Sequence, residues 1–183
     1  MSDLHADVKD ILLTEDQIRD IIERLGKQIT EDYKDKNLLL VSVLKGSVVF
    51  MADLMRAINL PCRIDFMSVS SYGSGTKTSG VVKIEKDLDL ELEGYDLLIV
   101  EDILDSGLTL SYILELLSAR NPKSIKICAF LDKPERRIAK DISADYIGAV
   151  VPDEFVVGYG LDYDEKYRNL PYLGVLKSEV YGG

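Results

Sequence analysis

The sequence is short of several residue types that catalysis and metal binding often use. Of its 183 residues, one is histidine and two are cysteine. The histidine, His5, lies in the polar stretch MSDLHADVKD, which is expected to be mobile. Serine–histidine and cysteine–histidine catalysis are therefore left without a base. Cys62 and Cys128 cannot build a zinc cluster of their own. Each sits in an apolar, strand-like run and reads as a buried free thiol. Positive charge is also scarce. With 22 Lys and Arg against 32 Asp and Glu, the net charge is −10, unlike a surface built to bind nucleic-acid phosphates. A small anion can still be held by a few amides, lysines and a metal ion. No apolar run is long enough to span a bilayer. The best candidate, LLLVSVLKGSVVFMADLM, is broken by Lys45 and Asp53. The first residues lack the basic-then-apolar layout of a signal peptide, so a cytoplasmic location is expected and no membrane partner.

What is present is an alternation of helical and strand patterns, at a length and hydrophobic content that suit one globular domain. Thr14 and Gln17 form a capping-box pattern. Ile18, Ile21, Ile22, Leu25 and Ile29 follow at helical spacing. NLLLVSVL and YDLLIV read as strands buried on both faces, as in parallel sheets. VVFMADLMRAI reads as a helix stopped by Asn59 and Pro61. CRIDFMSVSSY and SIKICAFLDK read as strands, VVKIEKDLDLEL as a strand or hairpin arm broken by Gly94, and ADYIGAVVP and YLGVL as shorter strands. A helix is predicted from about Leu108 to Ala119, with Leu110, Ile113, Leu114 and Leu117 on its core face. Tyr159, Tyr163 and Tyr167 recur at helical spacing and read as a packing stripe, with Asp164 and Glu165 on a solvated face. GSGTKTSG is the most loop-like stretch, and it lacks the spacing of a nucleotide-triphosphate loop. The alternation predicts an α/β fold with a largely parallel sheet. Ligands in such sheets sit at the carboxyl ends of strands. Three such ends carry polar chemistry: VLKGS, VEDILDSG and FLDKPE.

The densest of these is LLIVEDILDSGLTLSYILELL, Leu97 to Leu117. An apolar strand ends in Glu101 and Asp102, and a turn with Asp105, Ser106 and Gly107 leads into a helix through Thr109. A glycine turn at a helix N-terminus can aim amides at a phosphate. Two adjacent acids at a buried strand end repel unless something compensates them; a sugar diol or a divalent cation does so. Taken together, the two features suggest a ribose 5-phosphate ligand. An ordinary strand–helix turn and a solvated strand end are the plain alternatives to each half.

VEDILDSGLTL closely resembles the phosphoribosyl pyrophosphate signature of the type I phosphoribosyltransferases. VLKGS, SSYGS, LDKPERR and DEFVVGYGLDYDEKYRNLP accompany it in the order of the family's 6-oxopurine, or hypoxanthine–guanine, branch. The resemblance runs from about Ile11 to Leu176. It implies a twisted, mainly parallel sheet flanked by helices and a small hood made by the N-terminal and C-terminal segments. It implies a flexible lid over about residues 71–80, with Ser71 and Tyr72 at its start. The implied reaction joins hypoxanthine or guanine to phosphoribosyl pyrophosphate, with Mg²⁺, giving a nucleoside monophosphate and pyrophosphate.

The resemblance also implies roles. Asp105, Ser106, Gly107, Leu108 and Thr109 hold the 5-phosphate. Glu101 and Asp102 meet the ribose hydroxyls, directly or through Mg²⁺, and Asp162 is a further Mg²⁺ ligand. Asp105 is the general base near purine N7; a carboxylate is a weak base, so it assists rather than drives the reaction. Lys45 and Gly46 meet pyrophosphate, often after a cis peptide, and Arg168 binds it too. Lys133 donates to the purine 6-oxo group, which adenine lacks. Phe155 stacks on the base and Val156 offers backbone to its edge. A homodimer or homotetramer is implied. Leu108 departs from relatives with lysine there, which leaves more of the phosphate charge to backbone amides. Two other readings compete. One is a regulator of the same fold that senses phosphoribosyl pyrophosphate and binds nucleic acid, which the acidic balance disfavours. The other is a phospho-acceptor domain using Asp102 or Asp105, which leaves Lys133 and FVVGYGLDY unexplained.

Overall fold

Alternation within the continuous apolar runs decides the architecture. In the strand Leu38–Leu44, Leu38 and Leu40 enter one core while Leu39, Val41 and Val43 enter another. In the strand Asp96–Leu104, Leu98 and Val100 face the first core, Leu97 and Ile99 the second. Strands that feed two cores must have cover on both faces of their sheet.

The structure, a computed structural model, describes residues 4–71, Ser71 by its backbone alone, and 82–182. In chain order its elements are β1 (Val8–Leu13), α1 (Glu15–Asp32), β2 (Leu38–Leu44), α2 (Val48–Ala57), β3 (Arg63–Ser71), β4 (Val82–Lys86), β5 (Asp96–Leu104), α3 (Leu108–Ser118), β6 (Ser124–Asp132), β7 (Tyr146–Val150), β8 (Val156–Val157), β9 (Leu173–Leu176) and α4 (Ser178–Tyr181). The main sheet has the order β4–β3–β2–β5–β6–β7 and is parallel except for the antiparallel β3–β4 pair. The fold is α/β, as the alternation predicted. From β2 the chain winds outward to β3, and from β5 outward the other way to β6 and β7. The switch point lies between β2 and β5, where the carboxyl ends of neighbouring strands diverge and leave a crevice.

A smaller antiparallel sheet, β1–β9–β8, joins the N-terminal and C-terminal segments and encloses its own cluster around Val157, Tyr167, Leu170, Tyr172 and Leu176. From Leu4 on, the N-terminal segment is built into it and not loose as expected. Leu4–Asp7 forms a 3₁₀ turn, and the His5 ring lies 2.7 Å from the Tyr172 hydroxyl. β1 itself carries no clean alternation and was not anticipated. The Thr14 capping box is present, with Gln17 N–H donating to Thr14 Oγ1 and Thr14 N–H to Gln17 Oε1.

Three other expectations need correction. The strand expected over VVKIEKDLDLEL stops at Lys86 because the buried Asp65 carboxylate accepts from the amides of Asp89 and Leu90 and bends the chain away from the sheet. Tyr159, Tyr163 and Tyr167 form no helical stripe. Tyr159 and Tyr167 have φ of 48° and 75°, and Gly158 and Gly160 on either side of Tyr159 have 99° and 100°. The segment is a chain of tight turns that sends its tyrosines to different places. Tyr159 packs on Phe130 and Tyr167 joins the small-sheet cluster. Of the two free thiols, Cys128 is buried, but Cys62 lies just before β3 and is half-buried. The expected lid falls almost wholly outside the described residues, as does Tyr72. No helix among the described residues is long and apolar enough to cross a membrane.

Helices α1 and α2 cross closely at Gly26. A Cβ there would meet Ala57 Cβ at 2.6 Å and the Ala57 carbonyl oxygen at 2.7 Å. Gly26→Ala should therefore destabilise the protein by about 1–3 kcal/mol, against the gain of about 1 kcal/mol that alanine brings to an open helix. A urea midpoint that stays or rises would contradict this close approach.

Candidate active site

The crevice at the switch point opens into a cavity of about 280 Å³ lined by Gly46 from the loop after β2 and by Glu101, Asp102, Asp105, Ser106, Gly107 and Thr109 from the end of β5 and the following turn. A neighbouring cavity of about 380 Å³ shares Ile103 and Asp105 and adds Lys133, Phe155, Val156 and Tyr181. Asp105 thus stands at the junction of two spaces. The residues expected to hold phosphate and ribose, Leu108 excepted, line one, and those expected to hold the base line the other.

The phosphate-type turn is held from behind. Arg137 donates to three carbonyls: Asp105 (2.9 Å), Leu104 (3.1 Å) and Ile142 (2.8 Å). It also pairs with Asp132. The Ser106 carbonyl accepts from the amides of Ile138 and Ala139, at 3.0 Å each. With these carbonyls tied to one side, Gly107 at φ 79° starts α3, whose first-turn amides have no intrahelical partner and are free for an anion. A Cβ on Gly107 would crowd Ala139 and Arg137 at 3.2 Å. Leu108 is the first residue of α3, and its amide makes a long 3.4 Å contact with Ser106 Oγ. Arg137 was not recognisable in the sequence as a support, because it was one charge among several in DKPERR.

Glu101 and Asp102 are half-buried and line the cavity. Burial, and then the neighbouring Asp102, push the Glu101 carboxyl well above its ordinary range. Asp102 is raised to about 6, mainly by burial. The Ile103 amide, 2.8 Å from Oδ1, and the Arg168 charge offset only part of that. Linkage sets the sign. The unliganded fold has its full stability from this group below 3.8, and loses it as pH rises through about 6. At neutral pH the ionised Asp102 is a cost that the Ile103 amide and Arg168 only partly offset.

The loop after β2 closes over these acids. The Leu44–Lys45 peptide is cis. The buried Ser42 and Ser47 hydroxyls meet at 2.7 Å, and Ser47 donates to the Val43 carbonyl. A Cβ on Gly46 would fall 1.7 Å from Asp102 Oδ2, and one on Gly160 would fall 2.2 Å from the Gly46 carbonyl oxygen. Two glycines thus let three chain segments touch. The side chain of Lys45 leaves the cavity and reaches Glu165 Oε2 at 3.1 Å. Arg168 meets the same oxygen at 3.3 Å, Asp162 Oδ1 at 3.0 Å and the Gly160 carbonyl at 2.8 Å. Glu165 is therefore more than a solvated acid, since Lys45 first and then Arg168 hold its carboxyl below the usual range. Asp162 has its other oxygen on the Glu165 amide. Lys45, Asp162 and Arg168 form a rim group rather than part of either cavity wall.

Among the described residues, no three acidic, histidine or cysteine side chains gather to hold a metal ion. The arrangement suits a cation such as Mg²⁺ bound through one or two carboxylates and completed by substrate oxygens. The two compressed acids Glu101 and Asp102 fit that demand.

In the second cavity, Lys133 is 5% exposed and donates from Nζ to the Glu154 carbonyl at 2.8 Å, with Asp153 at 3.8 Å. A lysine ammonium has three donors, so it can still offer one to a ligand. Phe155 is 38% exposed and Val156 is buried on β8. Arg136 Nε lies 3.2 Å from Asp105 Oδ1, outside hydrogen-bond alignment, and among the described residues that oxygen has no hydrogen-bond partner.

The phosphoribosyl transferase domain family matches residues 9–164. The hypoxanthine-guanine phosphoribosyltransferase of Staphylococcus epidermidis is 56% identical over 178 residues, 97% of this chain and 99% of that protein. The bifunctional protein TilS/HprT of Listeria monocytogenes is 52% identical over the same share of this chain, which spans only 27% of that longer protein. A crystal structure of a hypoxanthine phosphoribosyltransferase from Staphylococcus aureus superposes with a TM-score of 0.96 at 54% identity, covering 100% of this chain and 98% of that one.

Glu101→Gln removes one crowded charge with little change of shape. The unliganded variant should melt higher at neutral pH, by about 2–4 °C for each kcal/mol relieved in a chain of this size. A lower melting temperature would mean that protein partners already compensate the carboxylate.

Proposed function

This chain belongs to the phosphoribosyl transferase family, and from that premise we propose that it is a purine-salvage enzyme. It transfers the phosphoribosyl group to hypoxanthine or guanine, releasing pyrophosphate. The observation that carries this reading is the pair of adjoining cavities with Asp105 between them, one walled by paired acids and a phosphate-type turn, the other by a buried lysine and an open aromatic ring.

In this reading the first-turn amides of α3 and the Ser106 and Thr109 hydroxyls take the 5-phosphate. Glu101 and Asp102 accept from the ribose hydroxyls, and their negative charge favours the oxocarbenium character that develops at C1′ as the bond to pyrophosphate breaks. Glu101 and Asp102, and separately Asp162 at the rim, would hold Mg²⁺ together with substrate oxygens, and the metal would supply charge neutralisation on the departing pyrophosphate. Purine N9 forms the new bond to C1′, and the proton on N7 passes to Asp105, whose Oδ1 lies 3.2 Å from Arg136 Nε and has no hydrogen-bond partner among the described residues. Asp105 thus takes up a proton made acidic by bond formation. The Gly46 loop, Lys45 and Arg168 receive pyrophosphate, and Ser71 and Tyr72 begin the lid. A lid suits a reaction whose cationic intermediate water would trap.

Phe155 stacks on the base, the backbone of Val156 meets its edge, and Lys133 donates to its 6-oxo oxygen. Adenine would present an amino group to that ammonium, donor against donor, in a buried place. The small sheet acts as the hood of a single catalytic domain. A cytoplasmic homodimer or homotetramer is the expected form, on the resemblance alone. The nucleic-acid-binding regulator would have no use for a base pocket built around Lys133.

A spectrophotometric assay with phosphoribosyl pyrophosphate, Mg²⁺ and each of hypoxanthine, guanine, xanthine and adenine tests the reading. Hypoxanthine or guanine should turn over and adenine should not. Adenine turnover equal to hypoxanthine, or no turnover with any base, would overturn it. Lys133→Ala should raise the KM for the 6-oxopurines about tenfold or more, the cost of one charged hydrogen bond. Unchanged base KM would remove Lys133 from recognition.

A further inference from the structure

The base cavity has a wall that comes from the far end of the chain. Tyr181, on α4, lines it together with Phe155, Lys133 and Ile103. Its position is set by the N-terminal segment. The Lys177 amide donates to the Asp7 carbonyl at 3.0 Å, Lys177 Nζ donates to the Ala6 carbonyl at 2.6 Å, and Val180 packs in the cluster that holds Leu4 and Val8. The Tyr181 ring stacks on Phe155 with centroids 4.8 Å apart and planes 23° from parallel. Tyr163 meets Phe155 edge-on at 5.5 Å and 88°, and lies 6.4 Å from Tyr181. Even with these two partners Phe155 keeps 38% of its surface exposed. Phe155 also lines the cavity, so the stack with Tyr181 leaves part of the residue open to it.

We propose that Tyr181 is a positioning residue for the purine, backing Phe155 so that the base stacks on an already oriented ring. This rests on the reading of Phe155 as the base-stacking residue. An isolated phenylalanine on a rim must give up rotamer freedom when it receives a base, and that loss weakens binding. With Tyr181 behind it and Tyr163 at its edge, the ring is held before the base arrives. The completed stack is Tyr181, Phe155 and purine, each pair in the offset or tilted geometry that aromatic quadrupoles favour. The contact is ring to ring, so the role belongs to the aromatic face and not to the hydroxyl.

The test is steady-state kinetics on Tyr181→Ala and Tyr181→Phe with hypoxanthine as the varied substrate. Tyr181→Ala should raise the hypoxanthine KM by about two- to tenfold, the range for one aromatic pair. It should leave kcat and the KM for phosphoribosyl pyrophosphate near their starting values. Tyr181→Phe should restore the base KM. A merely structural role would instead lower kcat and disturb both KM values together. An unchanged hypoxanthine KM in Tyr181→Ala overturns the proposal, as does a KM that falls, which would place the tyrosine where the base belongs. Failure of phenylalanine to rescue also overturns it. Phe155→Ala, assayed in parallel, separates the two claims. A normal base KM there removes Phe155 from stacking and the proposal with it. A raised KM there with a normal one in Tyr181→Ala overturns the proposal alone.

Discussion

The arrangement depends on two adjacent carboxylates pressed into the carboxyl end of β5. Glu101 and Asp102 are denied most of the water that would solvate them, and their carboxyls are raised as a result. A protein that needed only stability would place amides or hydroxyls there. This one instead brings a glycine loop down on them, close enough that Gly46 admits no side chain beside Asp102. The cost is carried by two hydrophobic cores packed on both faces of the sheet, which hold β5 in register with β2 and β6. A destabilised polar site on a rigid scaffold is the usual compromise between binding and folding.

The sheet topology turns this local compromise into an active site. Because β2 and β5 are neighbours and the chain winds away from them in opposite directions, the loops after β2, β5 and β6 share one end of the sheet. Each contributes one kind of chemistry: close backbone approach at Gly46, acids and free amides from Glu101 to Thr109, and cations from Lys133 to Arg137. Arg137 ties the last two together by taking the carbonyls of Leu104 and Asp105, so the amides of the turn face the other way. The cations assigned to pyrophosphate, Lys45 and Arg168, share the Glu165 carboxylate, and an incoming pyrophosphate would replace one exposed carboxylate contact with several.

Much of this was legible in the sequence because it rests on local rules. The Thr14 capping box, the doubly buried runs at Leu38–Leu44 and Asp96–Leu104, and the glycine turn before α3 each follow from a few neighbouring residues. The errors came where distant groups decide local structure. The strand after Lys86 stops because Asp65 captures its amides. The tyrosine spacing from Tyr159 to Tyr167 suggested a helix, although Gly158 and Gly160 were already a warning of left-handed turns. Cys62 is less buried than its apolar neighbours implied. Arg137, Glu165 and Tyr181 carried no signal, because each acts through a partner tens of residues away, or through a turn geometry that spacing does not reveal.

The central claim is that the acidic pair is an unfinished site completed by a cation and a phosphorylated sugar. Calorimetric titration of the wild-type protein with phosphoribosyl pyrophosphate, with and without Mg²⁺, tests this directly. Tight binding should require Mg²⁺ and should weaken strongly in Glu101→Gln. Equal affinity in the presence and absence of Mg²⁺, unchanged in that variant, would contradict the claim.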